Sequence, residues 1–567
     1  MINQSIWHHW EQLAKDKANS EAIIHWVSGE EPFRWNFSDL INRANYYSSL
    51  LLSKGIKPGE VCAIIIRHNP EFYPLYLGVV GMGALPAVLA YPNPRLHPEK
   101  FRQGLLGMTQ KSGLDWVLTE KELHHLFGNI VKAEGSTIKD IIFPIEENIS
   151  IDNNKYSSQL KKIRVSFNPD DPVLLQHSSG TTGLQKPVIL THYDILKHVE
   201  QYGEALELNE NDKFVSWTPL YHDMGLIGTF HLPLAFGIPT VQINTFEWIL
   251  APGILFEAIS KEKTTITLKP NFAFNLLTNK VKDEDMEGID LSSMRLFINA
   301  AEPIRHDTME RFIKRFKKYG LNELAPTTQY GMAETTLAVV QTPPGKKYKI
   351  LEVDRQKLAN GVVEIANENT KVKRVCVSSG VLLKECEMKI VDDNRNPLPE
   401  LTLGEIAVKS ASQFKGYRNY PEKTAKVIDS EGWYYTSDYG FIFENELYVI
   451  GRKDDIIIVA GNNIYPEDIE DAVNQVEGVQ KGRVIAFGEI NEELGTEVIS
   501  VIAETKIENE DEKKKLIIEI KKAGMSIDIP ITNVYLVPPR WLIKSSAGKP
   551  SRKANSQRIL ELKNMKG

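Results

Sequence analysis

The chain has 567 residues, too many for one hydrophobic core, so two or more domains are expected. Its 67 lysines and arginines nearly balance 74 aspartates and glutamates, and the formal charge of −7 excludes the basic excess of a nucleic-acid binder. With 42% hydrophobic residues and three scattered cysteines, Cys62, Cys376 and Cys386, it reads as a globular protein with reduced thiols, expected in the cytoplasm, and not as a disulfide frame or zinc site.

The N-terminal M-I-N-Q-S-I-W-H-H-W-E-Q is polar and amphipathic, and no secretory signal is read in it. E-V-C-A-I-I-I is an apolar run of strand length, suited to a sheet covered on both faces. Residues 72–91 are uncharged and long enough to cross a bilayer, but Pro74, Gly78, Gly81, Gly83 and Pro86 interrupt them. A helix ending at Gly81 or Gly83, then a buried strand in L-P-A-V-L-A-Y, is the better reading, so no membrane span is expected. Similar runs recur at P-V-L-L-Q-H, K-F-V-S-W, P-T-V-Q-I, T-T-I-T-L and M-R-L-F-I-N, which predicts layered α/β structure with largely parallel sheets.

From about Val375 short strands with turn signals take over. E-L-Y-V-I-G-R-K-D-D-I-I-I-V-A-G then sets a charged turn between two apolar strands, a candidate hinge. A small α/β pattern follows: helix P-E-D-I-E-D-A-V-N-Q-V, strands R-V-I-A-F-G and E-V-I-S-V-I-A-E, and helix K-K-K-L-I-I-E-I-K-K. The expected division is a large domain over 1–453 and a small one over 454–567. The Lys/Glu-rich stretch 508–515 is expected to be a solvated loop and helix face.

The strongest local signal is Q-H-S-S-G-T-T-G-L-Q-K-P-V-I-L-T-H. Gly180 and Gly183 let the backbone turn tightly around an anion, and Ser178, Ser179, Thr181 and Thr182 add hydroxyl donors. Lys186 supplies charge for the outer phosphates. The glycine-to-lysine spacing is shorter than in a Walker loop, Pro187 stands where Ser or Thr would bind magnesium, and V-I-L-T-H continues as a strand. The loop therefore joins two strands; a plain Ser/Thr/Gly hairpin tip is the alternative.

This loop resembles the S-S-G-T-T-G-x-P-K-G of the superfamily of acyl-CoA synthetases, peptide-synthetase adenylation domains and luciferases, departing at Gln185 and Pro187. The family's other motifs follow in order over nearly the whole chain. N-A-A-E-P-I-R resembles the segment lining the adenine edge, which implicates Ala300, Ala301 and Glu302. Q-Y-G-M-A-E-T resembles Y-G-x-T-E: the resemblance implies that Tyr330 stacks on adenine, with Gly331 and Met332 beside it, and that Glu334 holds Mg²⁺ next to the triphosphate of ATP. Ala333 replaces the usual threonine and removes a hydroxyl contact. Y-Y-T-S-D-Y-G resembles Y-R-T-G-D, with Ser437 in place of glycine; Asp438 would accept both ribose hydroxyls, Arg452 would contact ribose and phosphate, and Asp454 matches the hinge. K-S-S-A-G-K-P-S-R resembles T-S-S-G-K-x-x-R, which makes Lys549 the lysine that bridges the substrate carboxylate and the α-phosphate. The implied fold class is α/β: a large N-terminal domain of layered, mainly parallel sheets with helices plus a distorted β-barrel, and a small mobile α/β C-terminal domain.

W-T-P-L-Y-H-D-M-G-L-I-G resembles the P-L-Y-H-D-M-G-L-I-G of fatty acyl-AMP ligases, which form acyl-adenylates and pass the acyl group to a carrier protein. His222 and Asp223 would lie between the nucleotide and an acyl tunnel; His222 is a candidate catalytic residue without an assigned proton transfer. Met224, Leu226, Ile227 and Phe230 are candidate tunnel residues on a helix, where core packing is the ordinary role. The stretch at about 343–373 resembles the insertion that sets these ligases apart from CoA ligases and restrains domain rotation, and A-G-N-N-I-Y-P-E-D-I-E resembles their G-x-N-x-Y-P-x-D-I-E. No D-S-L-type carrier site follows Lys549, so an acyl carrier protein would act in trans. The substrate implied is a medium- or long-chain fatty acid. An acyl-CoA synthetase, using CoA as acceptor, and a non-catalytic nucleotide- or lipid-binding relative remain the alternatives.

Overall fold

Parallel pairing dominates the first three hundred residues of the computed structural model, which describes all residues except 1, 93–97, 147–152, 179–185, 460–461, 492–495, 545–549 and 565–567. Among the described residues the largest sheet has nine strands. Six of them run parallel, in the spatial order Glu21–Trp26, Thr240–Ile243, Phe214–Ser216, Ile266–Pro270, Leu296–Ala300 and Pro326–Tyr330. A second sheet is parallel throughout, ordered Leu85–Val88, Val61–Ile65, Trp116–Thr119, Asp140–Ile142. Every residue of Val61–Ile65 is buried, as its unbroken apolar run requires. The uncharged stretch after Phe72 is a fully buried helix, Phe72–Gly81, followed by the strand Leu85–Val88. No described helix is long and apolar enough to cross a membrane.

One hydrophobic core joins Trp7, Trp10, Tyr73, Tyr76 and Phe230, and a second gathers Trp217, Trp248, Phe274, Phe297 and Phe312. Cys62 and Cys376 are buried, Cys386 is partly buried, and all three are free thiols.

Pro172–Ser178 and Lys186–Thr191 form the expected antiparallel hairpin, and Gly416–Tyr417 adds to its edge beside Val188 and Ile189. The short strands beyond Val375 differ from expectation. Cys386–Val391, Gly404–Ser410, Tyr434–Phe443 and Glu446–Arg452 build an open four-stranded antiparallel sheet, and no closed barrel is found among the described residues. Four strands are too few to wrap around their own side chains. The stretch resembling an insertion is ordered: Ile350–Asp354 pairs with Lys373–Val377, and the helix Arg355–Ala359 between them is capped by the Asp354 side chain.

The segment M-G-L-I-G-T-F-H is helical, but Met224–His231 has the wide π pitch before an α-helical turn at Leu232–Phe236. Its close approach to the preceding loop explains Gly225, where a Cβ would sit 2.2 Å from the Pro219 carbonyl oxygen. After Ile457 a separate core forms around Ile469, Val473, Val501 and Ile520. Its sheet is Val479–Asn491, Thr496–Thr505 and Ile531–Val537, with helices Pro466–Asn474 and Glu510–Met525 against it. The Lys/Glu-rich stretch begins that second helix and is mostly exposed, with Asn509 as its cap.

Candidate active site

Ser178 and Lys186 are the last paired residues of the hairpin. Its tip, with Ser179, Gly180, Thr181, Thr182 and Gly183, lies outside the described residues, as does the Ser178 side chain. Lys186 is described, and its Nζ stands 5.2 Å from the ring centroid of Tyr417, within cation–π range. The Tyr417 hydroxyl in turn donates to Glu334 Oε1 at 2.7 Å. A candidate phosphate cation and a candidate metal carboxylate, far apart in sequence, therefore share one phenol.

Glu334 sits in a strained turn. The strand Pro326–Tyr330 runs through Gly331 and Met332 into a 3₁₀ turn at Ala333–Thr335. Thr336 then takes φ 66° and ψ −51°, and the Leu337 N–H donates to the Thr335 carbonyl at 2.8 Å. That is the rarely populated γ-turn, which persists only where its surroundings enforce it. The surroundings are the segment 412–417 and one histidine. The Thr336 hydroxyl donates to the Ser412 carbonyl at 2.6 Å, the Phe414 N–H to the Glu334 carbonyl at 2.9 Å, and the Ala338 N–H to His198 Nε2 at 3.3 Å. Burial pushes His198 down to about 3, against the opposing pull of Asp223. The ring is therefore neutral and its Nε2 is free to accept.

On the other side of the turn the Tyr330 hydroxyl donates to Asp438 Oδ2 at 2.8 Å, and Arg452 Nε lies 3.4 Å from Asp438 Oδ1. Burial, then the nearby Asp438 charge, holds the Tyr330 phenol well above its ordinary range. Asp438 and Arg452 face each other across paired strands. Ser437, where the family has glycine, takes φ 61° and donates its N–H to Glu405 Oε1 at 3.0 Å. The Arg452 side chain is 49% exposed, so this carboxylate–guanidinium pair opens toward solvent. Ala300 ends the strand Leu296–Ala300, Ala301 has φ 65°, and Glu302 Oε2 accepts the Phe272 N–H at 2.9 Å in the first turn of the helix Asn271–Lys280.

Lys549 lies outside the described residues, but both flanks are seen. Lys544 and Pro550 form an antiparallel bridge. Desolvation and Arg483 push the Lys544 amine down to about 8, while Glu302 and Glu504 pull it up. Arg552, two residues beyond Pro550, binds Asp455 at 2.5 Å, Glu470 at 2.8 Å and Glu467 at 3.5 Å. Asp454 lies beside that contact in the 3₁₀ turn Lys453–Asp455.

His222 Nδ1 is 3.7 Å from Asp223 Oδ1, and Asp223 Oδ1 accepts the Met224 N–H at 2.7 Å as an N-cap. Met224 is buried at the start of the π turn. Phe230 is fully buried against Tyr73 and Tyr76, with ring centroids 6.0 and 5.6 Å away.

Several contacts were not legible in the motifs. Tyr417 lies in F-K-G-Y-R, whose only signal is a G-Y beside basic residues; His198 carried none. A third group joins the C-terminal core to the rest of the chain. Asp468 Oδ2 lies 3.0 Å from both Arg355 Nη2 and Arg374 Nη1, and Arg305 Nη1 lies 2.6 Å from Asp471. Burial would raise the Asp468 carboxyl, but Arg374, Arg355 and Arg305 outweigh it and hold it below the usual range.

Among the described residues no three His, Cys, Asp or Glu side chains converge as a metal cage. Glu334 offers one buried carboxylate, one oxygen of which accepts from Tyr417. That donor set fits Mg²⁺, which takes one or two carboxylates together with water and substrate phosphates.

A family model described as AMP-binding enzyme matches residues 10–418. The chain is 28% identical over 557 residues to a Mycobacterium tuberculosis protein named a probable long-chain-fatty-acid–AMP ligase, FadD30, covering 93% of this chain and 92% of that one. It is 31% identical over 553 residues to another protein of that organism, named as a fatty-acid–CoA ligase, FadD25, covering 93% and 91%. A solved fatty acyl-adenylate ligase from L. pneumophila, in complex with acyl adenylate and pyrophosphate, superposes with a TM-score of 0.75 at 28% identity, covering 98% and 96%. A structure from work on fatty acyl-adenylate ligases of E. coli and L. pneumophila shares the fold at a TM-score of 0.89 and 24% identity over 99% of both chains.

Proposed function

The chain belongs to the AMP-binding enzyme family, and from that membership we propose that it converts a fatty carboxylic acid to its acyl-adenylate and passes the acyl group to a carrier-protein thiol. The observation that carries the reading is the line Lys186–Tyr417–Glu334 beside Tyr330–Asp438–Arg452. It sets a cation and a carboxylate suited to a triphosphate next to an aromatic ring and a carboxylate suited to a nucleoside. The similarity to a structure holding acyl adenylate and pyrophosphate supports it.

In the first step a carboxylate oxygen attacks the α-phosphorus of ATP, the bond from that phosphorus to the bridging oxygen breaks, and pyrophosphate leaves. Two anions must meet, so the barrier is electrostatic, and Lys549 is the cation proposed to relieve it. Lys186 would bind the outer phosphates and Asp438 the ribose. When bound, Mg²⁺ would neutralise the triphosphate, held by Glu334. In the second step a phosphopantetheine thiol gives up its proton to solvent, its sulfur bonds to the acyl carbon, and the bond from that carbon to the phosphate oxygen breaks so that AMP leaves.

We assign a large domain up to residue 453 and a small one beyond, turning near Asp454. Arg355, in the stretch resembling the insertion, ties the large domain to Asp468 of the small one, which supports restraint of that rotation. The second reading is an acyl-CoA ligase, favoured by the 31% identity to FadD25. The test is pyrophosphate release with ATP and a panel of acids, then transfer to CoA against transfer to a holo-carrier protein. Efficient acyl-CoA formation would remove the carrier assignment, and no acid-dependent pyrophosphate release would remove adenylation itself.

A further inference from the structure

Tyr417 belongs to none of the motifs that point to the site, yet it touches two of the site's charged side chains. Its hydroxyl donates to the buried Glu334 carboxylate at 2.7 Å, and the Lys186 ammonium stands 5.2 Å from its ring centroid. We propose that Tyr417 is a positioning residue for the metal–triphosphate end of the reaction: it fixes the Glu334 carboxylate for Mg²⁺ and holds Lys186 toward the same phosphates. The proposal rests on the adenylate-forming reading.

The backbone explains why the ring can do this. Gly416–Tyr417 is paired to the strand Lys186–Thr191, with Tyr417 opposite Val188, so one ladder carries both the lysine and the phenol. Gly416 takes φ 135°, and a Cβ there would sit 2.9 Å from Thr424 Cγ2. The Tyr417 N–H donates to the Thr424 hydroxyl at 3.0 Å, which locks the turn from the other side. Behind the ring Phe414 packs with its centroid 5.0 Å away, and the Phe414 N–H donates to the Glu334 carbonyl. The Glu334 backbone and side chain are thus both held by residues 414–417.

A phenol that only filled space would need its ring and not its hydroxyl. Tyr417 uses both, and with opposite charges: the negative ring face attracts the lysine, while the positive hydroxyl hydrogen meets the carboxylate. The hydroxyl leaves the second Glu334 oxygen as the one to meet a cation. Hydrogen bonds behind a metal ligand orient it, and their loss costs about ten- to a hundredfold in metal affinity.

Tyr417→Phe keeps the ring under Lys186 and deletes the donor to Glu334; Tyr417→Leu deletes both. ATP affinity is measured by calorimetry on the full chain in excess EDTA and in millimolar Mg²⁺, and the Mg²⁺ activation constant is taken from pyrophosphate release. The phenylalanine variant is expected to bind ATP as the wild type in EDTA, to lose about tenfold in the tightening that Mg²⁺ gives, and to need more Mg²⁺ for half-maximal rate. The leucine variant is expected to bind more weakly under both conditions. A phenylalanine variant that keeps the full Mg²⁺ effect overturns the role of the hydroxyl, and equal losses with and without Mg²⁺ reduce the residue to packing. A wild type that binds no ATP under either condition refutes the adenylation reading instead.

Discussion

On the proposed division into two domains, Asp468 is the residue whose loss should most directly free the smaller one. Its side chain is 6% exposed and lies 3.0 Å from Arg355 and 3.0 Å from Arg374, whose side chains are 14% and 9% exposed. Asp468→Asn keeps the shape and one acceptor but removes the carboxylate that both guanidinium groups share. Removing one partner of a buried pair costs about 3–5 kcal/mol. The retained amide oxygen and the solvent that reaches Arg355 place the expected value near the lower end, about 3 kcal/mol. At about 1.4 kcal/mol per factor of ten, the docked orientation should lose about a hundredfold in population. Arg355→Ala is milder, about 1.5 kcal/mol, because Arg374 still meets the carboxylate. The assay is limited proteolysis across 453–456, with small-angle scattering for overall size, and CoA-thioester formation as the functional readout. Both variants should be cleaved faster, Asn more than Ala, and both should gain thioester formation with CoA. Cleavage at the wild-type rate in Asp468→Asn would refute the reasoning, as would strict additivity of the two substitutions, since residues in contact must couple.

Lys549→Ala should abolish acid-dependent pyrophosphate release while ATP binding by calorimetry persists; unchanged turnover would remove the lysine from the mechanism. Tyr330→Phe loses the 2.8 Å bond to Asp438 and should weaken ATP binding about three- to tenfold, seen as a raised KM with little change in kcat. Ser437→Gly relieves a left-handed serine at φ 61° and should leave stability unchanged or raise it by up to about 1 kcal/mol, read from the denaturant midpoint. Glu470 has its carboxyl pushed up to about 7 by burial, opposed by Arg552 and reinforced by Glu467. The folded pKa is raised above the unfolded value of 4.5, so the native state binds the extra proton and stability falls as pH rises between 4.5 and about 7. Glu470→Gln should flatten that slope in the thermal midpoint, and an unchanged slope would assign it to other groups.

The hairpin around residues 178–186 was legible because its signal is local: two apolar runs, glycines between them, and a lysine where the second strand starts. The parallel sheets were legible for the same reason, since a strand buried on both faces must be apolar along its length. The open four-stranded sheet was not, and a distorted barrel was expected in its place, because whether edge strands meet depends on their tilt and on what lies beside them. Nor was the π pitch of Met224–His231, which no residue pattern in the segment marks.

By itself the sequence supplied the candidates for the proposed reacting groups: Lys186, Glu334, Asp438, Arg452 and Lys549 sit in short motifs whose residue types suit phosphate, metal and ribose chemistry. The tertiary structure alone decided how those among the described residues are held. Tyr417 reaches Glu334 across 83 positions, and Arg374 reaches Asp468 across 94. No periodicity or spacing encodes such pairs, because each partner is an ordinary tyrosine, arginine or aspartate until the backbone brings it within 3 Å of its counterpart. The strength of the pair then comes from the loss of water around it, which is a property of the packed fold and of no single segment.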